Sequence, residues 1–286
     1  MTFFNRALWR KTFVESMILL VPCTIILFAF TCLFIYLMNR LKLDGMASFI
    51  RMILPADLLQ LSSMRLDDWA TRKGLLSMTF IHPVIEFTCI TWAVIRGSAA
   101  ISGEISRGTM EMLLAQPISR RAILGANAAT AMLGCLVLPT TVLLGLAAGI
   151  RLFPPPEPQT VPLAASFYIP SALILAAYTF CLCGIATLIS SWDHYRFRTI
   201  GLFGIFFVTQ VIFDIAVRWA DKTSALRHLA WVTIKTSFEP QKVLFVDQKT
   251  LAELVQKYCL TLIAVGVAAY VLAALIFKRR DLPTPL

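Results

Sequence analysis

Apolar residues in this chain gather into long continuous runs, not into the alternating or one-sided patterns of a soluble fold. Residues 17–37 carry no charged side chain, and neither do residues 123–150. The runs predict spans at about 17–37, 75–100, 121–150, 163–191, 199–219 and 258–277. Each reaches the roughly 20 residues a helix needs to cross a bilayer core. Two of them hold ionisable groups: Glu86 in the second, Asp214 and Arg218 in the fifth. A polytopic protein accommodates a few such groups when they face inward. The runs are too long and unbroken for the strands of a barrel. The fold class is therefore all-α: a polytopic membrane protein with six transmembrane helices, forming a single domain over 1–286.

The segments between the spans have characters of their own. In residues 1–15, Phe3, Phe4, Leu8, Trp9 and Phe13 alternate with Arg6, Arg10 and Lys11. This predicts a basic amphipathic helix lying in the membrane interface before the first span. The first apolar run is too long for a cleaved leader, and no small-residue cleavage site follows it. Residues 39–74, 151–162 and 220–257 form the segments on the other side. Scattered apolar residues predict short helices in the first, and Pro154, Pro155, Pro156 and Pro158 stiffen the second. Leu251, Leu254 and Val255 predict a helix leading into the last span. Six spans put both ends of the chain on one side. Lys and Arg are densest in the short segments on that side, which places both termini in the cytoplasm and the chain in the cell (inner) membrane.

Composition agrees with a lipid environment: 58% of the residues are hydrophobic and only 15% charged. A soluble domain carries about a quarter charged residues. The net charge of +10 is spread over every loop, so it marks membrane anchoring and excludes a nucleic-acid module. The seven cysteines fall inside the spans and read as small packing residues. Cys181 and Cys183 point in different directions on a helix and make a poor metal clip.

The most informative stretch is 103–121, between the second and third spans. Gly108 can end one helix, and Thr109 can cap the next. Glu111 sits in its first turn and Pro117 stops it, while Ser119 caps the third span. This predicts a helix of about two turns over 110–116. Met110, Leu113 and Leu114 share one face, which would lie beyond the bilayer and need a partner. Glu104, Arg107 and Glu111 would supply polar contacts around it.

Glu104-x-x-x-Gly108-Thr109-x-Glu111-x-Leu113-Leu114-Ala115-x-Pro117-x-Ser119-Arg120 resembles the signature of permeases of the type-2 ABC exporter family. The basic N-terminus, the six spans and the Phe277-Lys278-Arg279-Arg280-Asp281-Leu282-Pro283 ending fit the same family, and Phe80-Ile81-His82-Pro83 is similar to one bacterial branch of it. The resemblance implies two permease subunits, identical or different, working with two separate cytoplasmic ATPases. The helix after Glu104 would be the coupling helix, seated in an ATPase cleft through Glu104, Arg107, Gly108, Thr109, Met110, Glu111, Leu113 and Leu114. ATP and Mg would belong to that partner. No Gly-Lys dipeptide occurs in this chain, so it has no P-loop, and as a permease subunit it needs no cofactor of its own.

Three further residues are candidates for an intramembrane polar site: His82, Glu86 and Asp214. His82 and Glu86 are four apart on one helix face near mid-membrane. They line a translocation path, or a neutral Glu86 bonds to His82 or a neighbouring helix and holds the bundle together. Asp214 and Arg218, also four apart, read as a local ion pair. Two other functions remain open. One is a non-transporting scaffold regulated by an ABC-type ATPase. The other is an intramembrane enzyme, against which stands the lack of an HExxH or GxSxG motif and the scatter of His82, His194 and His228.

Overall fold

A computed structural model describes residues 5–40, 68, 71–154, 164–220 and 224–280. The prolines from Pro155 to Pro158, most of segment 39–74 and the residues after Arg280 lie outside the described residues. Among those described there is no strand, and six helical runs are long and apolar enough to cross a membrane. We label the helices α1 (Arg6–Arg40), α2 (Pro83–Ser98), α3 (Thr109–Leu114), α4 (Arg120–Leu152), α5 (Ile169–Trp192), α6 (Arg196–Trp219) and α7 (Gln248–Arg279). Helical turns at Arg72–Ser77 and Met78–Ile81 lead into α2. The protein is an all-α, multi-pass membrane protein.

Burial orders the bundle. In its most apolar window α5 is 72% buried, against 11% for α6. Helix α5 is thus the central pillar, packed on α7, α2 and α4, while α1 lies along α4 and α6 stands at the edge. Without a hydrophobic drive between helices in lipid, close packing of small residues selects the contacts. At the α5–α7 crossing Gly184 meets Gly266 so closely that a Cβ on Gly184 would sit 2.6 Å from the Gly266 carbonyl oxygen. On α4, Gly134 leaves the notch that holds the Trp92 ring, whose Nε1–H donates to the Ala131 carbonyl at 3.1 Å. The outward faces carry the apolar side chains that lipid covers, such as Ile18, Leu136 and Ile205.

Two expectations need correction. The stretch 1–15 does not form a separate interfacial helix: from Arg6 the chain is already in α1, which runs unbroken to Arg40. No glycine or proline stands between Arg6 and Val21 to stop it, and its inward stripe of Leu8, Thr12, Ser16, Leu20 and Cys23 continues at i, i+4 into the span. The Thr12 and Ser16 hydroxyls donate back to the carbonyls of Leu8 and Thr12, at 3.1 and 2.7 Å, so the polar part of that stripe is satisfied inside the helix. Similarly, α7 begins at Gln248 and carries Leu251, Leu254 and Val255 within the same helix as the last span. The segment before it folds back onto the bundle through three helical turns, Ala225–Trp231, Ile234–Ser237 and Lys242–Phe245, and buries Ile234, Phe238, Val243 and Leu244 in the main core.

Candidate functional site

The end of the bundle where α1 begins and α7 finishes, here called basal, carries α3. Helix α2 opens into a π-helical turn over Ala99–Gly103 before one last α-turn, Glu104–Ser106. Such widened turns often accompany functional segments. Gly108 then turns the chain with φ 71°, in the left-handed region. A Cβ there would meet nothing within 4 Å, so the demand on this position is one of backbone conformation and not of space. Thr109 is thereby the first residue of α3 and not its cap. Its hydroxyl lies 2.6 Å from the Glu104 carboxylate.

Glu104 is 4% exposed and forms the hub of the site. Its carboxylate accepts from Lys11 Nζ on α1 at 2.7 Å, from Arg107 Nη2 at 2.7 Å and from Thr109. Three donors satisfy an anion that burial alone would disfavour. The predicted role of Glu104 as a surface contact is accordingly corrected: it ties α1 to the turn before α3. Behind it, the Ser190 Oγ accepts from the Ser102 backbone N–H at 2.9 Å and lies 3.0 Å from the Ser102 Oγ. Thr199 Oγ1 donates to Ser102 Oγ at 2.9 Å. These hydroxyls bind the end of α2 to the end of α5 and the start of α6.

The apolar face of α3 is also not as expected. Met110 is 1% exposed and lies in a core with Leu8, Ala100, Ile101, Ile118, Ile123 and Phe277, and Leu113 and Leu114 pack half-buried against it. The bundle itself covers the face that seemed to need a partner: Leu8, near the start of α1, and Phe277, near the end of α7, lie in the same core. What α3 turns outward is Glu111 and Met112, the latter 69% exposed, with Ala115, Gln116 and Pro117 beyond and Arg107 at one side. Ser119 caps α4 as its sequence suggests, its Oγ accepting from the Ala122 N–H at 3.2 Å.

Next to this site, the short connection between α5 and α6 is held by Asp193, 2% exposed, which accepts from Arg198 Nε at 2.7 Å and from the Tyr195 N–H at 3.0 Å. Burial opposes its charge, but Arg198 and the N–H groups of Tyr195 and His194 outweigh that and hold the carboxyl below its ordinary range.

The intramembrane candidates lie toward the other end. Glu86 does not pair with His82. It pairs with Lys235, brought in by the turn Ile234–Ser237, and accepts from the Tyr178 hydroxyl at 3.2 Å. The Lys235 ammonium also sits 5.5 Å from the ring centres of Phe207 and Phe238. His82 instead caps α2, its Nδ1 accepting from the Val84 N–H at 3.3 Å, with its ring 4.6 Å from that of Phe30. Asp214 does pair with Arg218, at 2.9 Å, but the guanidinium also reaches Glu239 at 3.2 Å. Glu239 further accepts from Tyr258 and pairs with Lys242 at 3.1 Å. Lys11, Ser102, Ser190, Thr199 and Lys235 were missed because each meets a partner across a long sequence separation, with no spacing to betray it. Glu239 has a local partner in Lys242, but its links to Arg218 and Tyr258 form only when separate elements pack.

A helical bundle of six spans, with a short helix clamped between the second and third and tied to α1 by a buried carboxylate, defines a polytopic membrane protein. The chain matches the ABC-2 family transporter protein description over residues 11–282 and belongs to that family. It is a membrane permease of an ABC transporter. No curated protein matches it.

Proposed function

We propose that this chain is the permease subunit of an exporter, with α3 seating its outward face in a separate cytoplasmic ATPase. The observation that carries this is the contrast within α3: Met110 is rooted in the bundle at 1% exposure while Met112, two residues on, stands 69% exposed. A two-turn helix cannot hold itself in water. This one is held from behind by Met110, Leu113 and Leu114 and from the side by Glu104, so a push on its bare face passes into α1, α2 and α4. ATP and Mg act in the partner, and two permease subunits enclose the path. Family members in general associate with such an ATPase, which supports the reading.

The test is Met112→Asp. An exposed side chain leaves the fold unaffected, but a carboxylate in an apolar cleft costs several kcal/mol unless paired. The variant should insert and express as wild type, yet lose the co-purifying ATPase and, in reconstituted vesicles, transport. Lys249→Gln at the far end of the molecule should do neither. Retention of the ATPase at wild-type stoichiometry by Met112→Asp would sink the docking assignment. Wild-type ATPase binding and hydrolysis with no substrate moved would favour the scaffold instead.

A further inference from the structure

Beside α3 a groove of about 440 Å³ runs between the start of α4 and the end of α7. Its floor is apolar: Leu114, Ile118, Leu124, Ala274 and Phe277. Its rim is basic, with Arg120, Arg121 and Lys278. Arg120 is committed, donating to the carbonyls of Phe277 and Arg280 at 2.8 and 2.6 Å and so closing the end of α7. Among the described residues, Arg121 and Lys278 are exposed and make no ion pair, and no carboxylate lines the groove. The mouth also contains the first turn of α4, a 33-residue helix whose N-terminal N–H groups beyond the Ser119 cap have no intrahelical acceptor.

We propose that this groove binds an anionic phospholipid, the phosphate between Arg121, Lys278 and the α4 N-terminus and an acyl chain along Leu124, Ala274 and Phe277. Two exposed cations and a helix N-terminus suit a phosphate. The apolar floor suits a hydrocarbon tail, which a free phosphate lacks. The groove lies at the level where lipid headgroups meet the spans, because its walls are the ends of two membrane-crossing helices. Since Leu114 and Ile118 form part of the floor, an occupant would brace α3 from the side away from its bare face. This inference is independent of the docking proposal and needs no ATPase for its test.

The experiment is native mass spectrometry of the purified full chain, given equal phosphatidylglycerol and phosphatidylcholine. One phosphatidylglycerol per chain should be retained, in preference over phosphatidylcholine by about thirtyfold, the scale expected of two basic groups at a membrane surface. Arg121→Gln with Lys278→Gln should abolish the preference. Arg121→Lys with Lys278→Arg keeps the charge and should preserve it, which separates lost binding from lost folding. Equal retention of the two lipids by wild type, or an undiminished preference in the Gln variant, would overturn the site. Displacement by millimolar inorganic phosphate would overturn the lipid assignment in favour of a free anion.

Discussion

Glu104 and Glu86 are both carboxylates in an apolar bundle, and each is held by a lysine that lies far away in sequence. Glu104 has three donors, two of them on side chains about one-third to one-half exposed. Replacing it by Ala leaves Lys11 and Arg107 free to find water, so the loss should be moderate, about 1–2 kcal/mol. The local effect should be larger than the global one: amides of α3 should exchange with solvent faster in Glu104→Ala, while those of α5 do not change. Unaltered exchange over residues 109–114 would remove Glu104 from its role as the tie. Glu86 differs in that its partner is mostly buried, Lys235 being 14% exposed. Glu86→Gln keeps shape and hydrogen bonding but leaves an ammonium with no counter-charge, at a cost of about 2–4 kcal/mol. The variant should melt lower in detergent, and Lys235→Met added to it should recover part of the loss. An unchanged melting temperature in Glu86→Gln would remove the pair with Lys235 from that role.

At the scale of elements, the two ends of a helix and its two faces answer to different neighbours. Helix α3 shows this most directly. Leu113, which the sequence groups with a docking face, packs against the small core of Leu8, Ile123 and Phe277, so Leu113→Asp would place charge there and loosen the fold. The same change at Met112 meets solvent. Helices α5 and α6 make the parallel contrast inside the membrane. Gly184 lies against the backbone of α7, so Gly184→Val forces α5 and α7 apart and should reduce the yield of monodisperse protein severely. Gly201 on α6 has nothing within 4 Å, and Gly201→Ala should leave yield and melting temperature unchanged. Equal behaviour of the two variants would contradict the central placement of α5.

On the whole-molecule scale, the proposed docking of α3 on a cytoplasmic partner depends on the orientation of the bundle. Single cysteines at positions 112 and 227, in a background cleared of the native seven, should label from opposite sides of the membrane, position 112 only from within. Labelling of 112 from outside intact cells would reverse the bundle and end the docking proposal. Much of this architecture is legible in the sequence by itself. Unbroken runs of about 20 apolar residues cross a bilayer as helices, since a segment that satisfies its own backbone in lipid must be helical and the runs are too long for barrel strands, and that determined an all-helical, six-span protein. Gly108, Pro117 and Ser119 act through their own backbone chemistry, so the boundaries of α3 could be read locally to within two residues. Which face of α3 is bare could not. That depends on Leu8 of α1 and Phe277 of α7 covering Met110, and on Lys11 arriving at Glu104 from 93 residues away. The partner of Glu86 lies 149 residues off and was equally invisible. Local patterns reflect forces that act within a turn or a span. The pairing of buried charges and the covering of an apolar face are settled only when distant helices pack, and there the tertiary structure alone decided.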